Sequence, residues 1–351
     1  MKYGWNISEI EEKKNRLKKS FNNVDRYIYD RMLMDYNLKF RDFTITLNPK
    51  TFFKTVDKFD LKYFDSPFFQ IISYIAPQIE NLDFTYSCVF SPSLTDEDTV
   101  KICKDFYKKV DKSNFNYFKQ FVSIPSRIQF IKDNNTNPFN GRSYIISNNE
   151  FYVLVNFRNY IQDIITFYHE SKHIENKLKG YDEGIGLYQE LPAILYTFYM
   201  FDHLTLIGDN QYESQCVRKE LLSKYCKLIV KINNQVKYIK RLKTDSNFYD
   251  NINQNYLLYY GEDELFDIYT IMQRGFSEKS IGNVVSFLVS IYIYMNSTLN
   301  NATNAISLYM FGMRKLKPSM VDDIIKFLKE EFNNSLNDEK NKQKVKKVVD
   351  K

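Results

Sequence analysis

A chain of 351 residues with only 10 glycines and 8 prolines has few places to turn sharply. Sandwiches and barrels of short strands need turn signals about every 8–12 residues. Their scarcity therefore favours helices over a turn-rich β architecture. The length is enough for one large domain or two modest ones, each with its own core. Hydrophobic residues make up 44% of the chain, so its composition is that of a folded protein rather than a disordered one.

The pattern along the chain agrees. Residues 1–40 intermix charged and apolar positions at helical spacing. Residues 41–90 are aromatic-rich without a clear period. Ser93-Leu94-Thr95-Asp96-Glu97-Asp98 reads as a helix start, a capping hydroxyl followed by first-turn acids. An apolar stretch follows at Phe115 to Phe130, and the segment Asp133 to Arg142 is dense in turn formers. Two strand-like runs, Ser143 to Ile146 and Phe151 to Phe157, flank a four-residue loop and suggest a hairpin. A helix is expected from about Asn159 to Lys179, stopped by Gly180. Gly184 and Gly186 fall in the connection, and a second helix starts near Tyr188 with Pro192 in its first turn. The remainder, to about Phe332, reads as helices.

Several classes of function fall away. The formal net charge of +6 is a mild bias, and basic residues are mixed with acids throughout. The Lys-rich run from Asp338 to Lys351 reads as a solvated tail, so no nucleic-acid partner is expected. Val284 to Met295 is the longest apolar stretch, is interrupted by Ser286 and Ser290, and falls short of the roughly 20 residues a bilayer span needs. The N-terminal stretch has no apolar signal region. Cys88, Cys103, Cys216 and Cys226 form no CxxC pair, and scattered thiols fit a reducing compartment. A cytoplasmic chain without membrane contact is expected. Nothing in the pattern fixes an oligomeric state.

Residues 169–173 read His-Glu-Ser-Lys-His, the H-E-x-x-H pattern, within a helical context. His169 and His173, four apart, lie one above the other on one face and can bind a single zinc ion. Glu170 is turned about 100° round the helix and can reach a water without being a ligand. A catalytic zinc takes a third protein ligand. Glu190 supplies it if two successive helices pack antiparallel, since 16 residues separate it from His173. Glu183, in the connecting loop, is the competing choice. His203 lies more than three turns beyond Glu190 and reads as structural or surface. H-E-x-x-H also occurs on solvated helices without any metal, so the downstream glutamate matters.

These segments resemble the zinc oligopeptidases of the oligoendopeptidase F and thimet oligopeptidase family. Gly141-Arg-Ser-Tyr, then Phe151-Tyr-Val-Leu-Val-Asn-Phe, then Asp163-Ile-Ile-Thr-Phe-Tyr-His-Glu follow that family's order. Glu190-Leu-Pro-Ala is similar to the family's Glu-x-Pro-Ser segment, whose glutamate is the third zinc ligand. Ser93 to Val122 looks like the helix pair before the catalytic region, and Tyr292-Ile-Tyr294-Met-Asn resembles the tyrosine-rich helix lining the cleft.

The resemblance implies a mainly α fold, a helical metallopeptidase fold with a small β-sheet beside the HExxH helix. It divides the chain into a reduced N-terminal helical region (1–90), a zinc peptidase catalytic domain (91–332) and a charged tail (333–351). It implies one zinc ion held by His169, His173 and Glu190, Glu170 as general base, and Tyr292 or Tyr294 as oxyanion donor. The substrate would be an oligopeptide, its backbone paired with the Phe151–Phe157 strand. Asp163 reads either as support for a ligand imidazole or as a solvated helix-start carboxylate. Lys172 stands where the family has glycine, and no histidine follows His203. These departures define the alternative: a catalytically inactive peptide-binding relative that keeps the fold.

Overall fold

The computed structural model describes residues 48–84, 93–124, 128–131, 141–147, 150–180, 186–207, 211–255 and 263–333. The expected helical segment 1–40, the tail from 334, Cys88, and Glu183 with Gly184 lie outside these described residues. Within them the fold is mainly α. The helices are α1 (Pro49–Lys58), α2 (Pro67–Ile79), α3 (Asp96–Lys109), α4 (Phe115–Val122), α5 (Ile161–Leu178) and α6 (Leu191–Leu206). They continue as α7 (Gln211–Thr244), α8 (Ser246–Gln254), α9 (Asp263–Arg274), α10 (Glu278–Asn296), α11 (Leu299–Met310) and α12 (Pro318–Asn333). Three strands, β1 (Ile128–Ile131), β2 (Gly141–Ser147) and β3 (Glu150–Asn156), form one mixed sheet in the order β1-β3-β2.

The helix at the centre is α6. Every residue from Leu191 to Leu204 is buried. A helix buried on every face has no solvent side to offer, so it runs through the core. It packs against α5, α7, α10 and α11. The described N-terminal helices α1 and α2 join the same apolar cluster, with α2 lying along α7 and α12. No helix among the described residues is long and apolar enough to cross a membrane.

Two expected features take a different form. The stretch 115–130 is not continuous: α4 ends at Val122 and a separate strand, β1, starts at Ile128. The hairpin is tighter than expected, because Ser147 pairs directly with Glu150. Its first strand starts at Gly141, so Arg142 belongs to β2 and not to the preceding loop. The cysteines depart from the expectation as well. Cys103 and Cys226 are buried thiols, but Cys216 is disulfide-bonded, so the premise of four separate thiols does not hold.

The start of α3 follows the sequence closely. Thr95 Oγ1 accepts the Asp98 backbone N–H at 3.0 Å, and Asp98 Oδ2 accepts the Thr95 N–H at 3.2 Å. This reciprocal cap fixes where the helix begins. The turn from β3 into α5 docks on it. The backbone N–H groups of Ser93 and Leu94 both donate to the Asn159 carbonyl, and Asn159 itself has a positive φ of 69°. Asparagine tolerates that conformation better than most side chains.

Candidate metal centre

Asp163 sets the start of α5. Its Oδ2 accepts the backbone N–H groups of Arg158 at 2.9 Å and Tyr160 at 3.0 Å. It is buried, not solvated, and its partners are backbone groups at the helix entry rather than an imidazole. Burial pushes its carboxyl upward, and the donated N–H groups pull the other way. The helix so anchored carries His169, Glu170 and His173 on its middle turns.

Glu190 sits at the lip of α6, one residue before the first helical turn, with Pro192 just inside. Its carbonyl accepts the first intrahelical bond, from Ile194 N–H at 2.9 Å. Two serines of α10 touch the backbone on either side. Ser286 Oγ donates to the Leu187 carbonyl at 3.1 Å, and Ser290 Oγ shares its proton between the Ser286 carbonyl at 2.7 Å and the Leu191 carbonyl at 3.2 Å. In the sequence these serines interrupt an apolar run; in the fold both are buried and touch the chain around the carboxylate.

From its lip α6 runs back along α5. Glu190 lies at the histidines, Tyr196 over Lys172, and His203 against Phe106, which packs on Tyr168. Three ligand atoms meet as a result. His169 Nε2 is 3.2 Å from Glu190 Oε2, His173 Nε2 is 3.3 Å from the same oxygen, and the two nitrogens are 3.2 Å apart. A tetrahedral ion with bonds of about 2.0–2.1 Å sets its ligands roughly 3.3–3.4 Å from one another. The triangle matches that spacing.

Hydrogen bonding does not account for it. Each neutral imidazole has one N–H, and if both donate to Glu190 the two nitrogens face each other with nothing between them. A cation at the centre satisfies all three atoms, so the donor set fits zinc in number, type and spacing. Side-chain exposures of 21%, 20% and 25% for His169, His173 and Glu190 leave the group open to solvent on one side. Burial opposes charge on Glu190, but the two imidazoles outweigh it and hold the carboxyl well below the usual range.

Glu170 is half-buried and has no hydrogen bond or ion pair among the described residues. It lies under the start of β2. A Cβ built at Gly141 would stand 3.0 Å from Glu170 Cγ and 2.3 Å from Thr166 Cγ2. Only glycine lets the strand come this close to the helix. Gly141→Ala is therefore expected to destabilise the fold by about 1–3 kcal/mol through overpacking. Adding Thr166→Ser, which removes the clashing methyl, should recover most of the loss. Thermal melts of the two variants check this, and a Gly141→Ala protein as stable as wild type would contradict the contact.

The tyrosines part company. Tyr294 donates to both Asp202 oxygens at 2.9 Å and lies beside Arg218. Asp202 is 12 residues beyond Glu190, about 18 Å along a helix, so the structure does not bring Tyr294 to the ligand triangle. Tyr292 leaves α10 on another face, within electrostatic reach of Tyr309, which contacts Tyr188 two residues before Glu190. Tyr225 of α7 was not singled out by the sequence. It stacks on Phe287 at 4.5 Å, and the Glu190 charge adds to burial in raising its phenol. With 28 tyrosines in the chain and no motif around this one, only the packing of α7 reveals it. His203 is buried, 3.6 Å from Asp105, and burial pushes its pKa below the ordinary imidazole value.

The strand expected to meet substrate is also repositioned. β3 is the central strand, parallel to β1 through Ile128↔Val153 and antiparallel to β2 through Gly141↔Val155. Both its edges are used. Among the described residues β2 has no strand on its outer edge, and it is β2 that passes over Glu170.

No protein-family model matches the chain, and no curated protein matches it. Among solved structures it is similar to one described as a "putative oligoendopeptidase F from Bacillus anthracis str. Ames". That match is 12% identical, has a TM-score of 0.46, and covers 98% of this chain and 64% of the other. The chain thus spans less than two thirds of that protein's length.

Proposed function

We propose that this chain is a zinc-dependent endopeptidase acting on oligopeptides. The observation that carries the reading is the triangle of His169 Nε2, His173 Nε2 and Glu190 Oε2, with sides of 3.2–3.3 Å. Zinc in such a set supplies Lewis acidity at the scissile carbonyl and lowers the pKa of water from about 15.7 towards 7.

The chain's own residues supply the rest. Glu170, without a hydrogen bond or ion pair among the described residues and next to His169 in sequence, accepts the proton of the attacking water and delivers it to the leaving amine. The outer edge of β2 pairs with an extended peptide backbone, which selects for main chain rather than for side chains. Its course over Glu170 at Gly141 is what supports the assignment. Tyr292 is the hydroxyl assigned to the developing oxyanion, and Tyr225, whose phenol feels the Glu190 charge, is the second candidate for that role.

Metal analysis of the purified protein tests the reading. One zinc per chain is expected, falling to under a tenth in His169→Ala, together with hydrolysis of a quenched peptide library by the wild type alone. A zinc-free wild type, or unchanged zinc in His169→Ala, overturns it.

A further inference from the structure

Between the two histidines of α5 lies a lysine that never reaches solvent. The Lys172 side chain is 1% exposed. Its Nζ donates to Asp111 Oδ2 at 2.5 Å and Glu175 Oε2 at 2.7 Å, and sits 3.8 Å from the centre of the Tyr196 ring. Each partner is itself held. Asn114 Nδ2 donates to Asp111 Oδ1 at 2.7 Å, Tyr107 Oη to Glu175 Oε2 at 3.2 Å, and Lys179 Nζ to Glu175 Oε1 at 2.6 Å. Lys179 also bonds Asn114, and Tyr196 Oη meets Thr303 Oγ1 of α11 at 3.0 Å.

The geometry of this cluster is specific to the metal site. Lys172 leaves α5 about 60° round from His169 and 100° from His173. It is bonded to the chain after α3 on one side and faces an aromatic ring of α6 on the other. That ring is six residues beyond Glu190. An ammonium buried without partners would discharge; two carboxylates and the ring's negative face keep this one charged and in place. Burial alone would lower its pKa, and Asp111 and Glu175 reverse that.

We propose that Lys172 is a positioning residue: by tying the helix of the imidazoles to the helix of Glu190, it sets the spacing of the three metal ligands. The inference rests on the zinc reading above. A lysine that only stabilised the fold would affect melting and leave metal affinity unchanged. Loss of a supporting group around a metal site typically weakens binding by about 10–100-fold.

The test measures zinc affinity by competition with a chromophoric chelator. Lys172→Met alone would leave the buried Asp111 carboxylate without a cation and Glu175 with Lys179 only, so it is combined with Asp111→Asn and Glu175→Gln, which removes the three buried charges together. Tyr196→Leu is the second arm and leaves every ion pair in place, while Tyr196→Phe keeps the ring. The triple variant and Tyr196→Leu are expected to bind zinc at least 10-fold more weakly, with kcat reduced and KM unchanged. Tyr196→Phe is expected within twofold of wild type. Either of the first two, folded and with affinity within twofold of wild type, overturns the positioning role. A wild type that binds no zinc instead overturns the peptidase reading, so the two failures are distinguishable.

Discussion

Glu170→Gln is expected to lower kcat for oligopeptide hydrolysis by about 10²–10⁴-fold, the usual worth of a positioned general base. The same variant should retain one zinc per chain and an unchanged melting temperature. The three expectations together make the experiment specific. Glu170 is not part of the ligand triangle, so the metal has no reason to leave. It holds no ion pair or hydrogen bond among the described residues, so the fold loses nothing when its charge is removed. Glutamine has the same shape and fits under Gly141 as glutamate does, but its amide cannot take up the proton of the attacking water. KM should stay near the wild-type value, because the interaction lost is made in the transition state only. Turnover equal to wild type, with zinc bound, would mean that another group acts as base.

The elements that carry the His169–His173–Glu190 cluster were the most legible in the sequence, for physical reasons. Helical spacing places His169 and His173 on one face whatever surrounds them, and the Pro192 signal puts Glu190 at a helix start. Mutual packing of α5 and α6 then needed only the apolar residues of α6, which the sequence shows plainly. Other features depend on contacts between distant segments. β1 is four residues long, too short for an alternating pattern to stand out, and it exists because β3 offers it an edge. For the same reason the sequence could suggest a substrate-pairing strand but not which edge is free. Lys172 stands out only as a departure from the family's glycine, and Asp163 is open between imidazole support and a solvated helix-start carboxylate; both are buried, and their partners become visible only in the fold. Ser286 and Ser290 look like flaws in an apolar helix until their acceptors, the carbonyls flanking Glu190, are seen.

Tyr294 illustrates the same limit and leads to the second large effect. Arg218 of α7 forms a two-pronged pair with Glu331 of α12, Nη2 to Oε1 at 2.8 Å and Nε to Oε2 at 3.0 Å. It also reaches Asp202 of α6 at 3.2 Å and lies against the rings of Phe198, Tyr294 and Phe327. One guanidinium therefore joins four helices. Burial pushes the Asp202 carboxyl up to about 6, although Arg218 and the Tyr294 hydroxyl both favour its charge. The acid is held charged only at a cost, and removing the cation leaves that cost without compensation. Arg218→Met should destabilise the fold by about 3–5 kcal/mol, the range for breaking one side of a buried pair. For a chain of this size that lowers Tm by about 4–7 °C. Combining it with Asp202→Asn and Glu331→Gln should restore most of the loss, since neutral groups of similar volume replace the whole cluster. Tyr294→Phe should lower Tm less than Arg218→Met does and leave peptide turnover within about twofold of wild type. Near-total loss of turnover in a folded Tyr294→Phe protein would instead make that hydroxyl part of the reaction, against its place some 18 Å along α6 from Glu190.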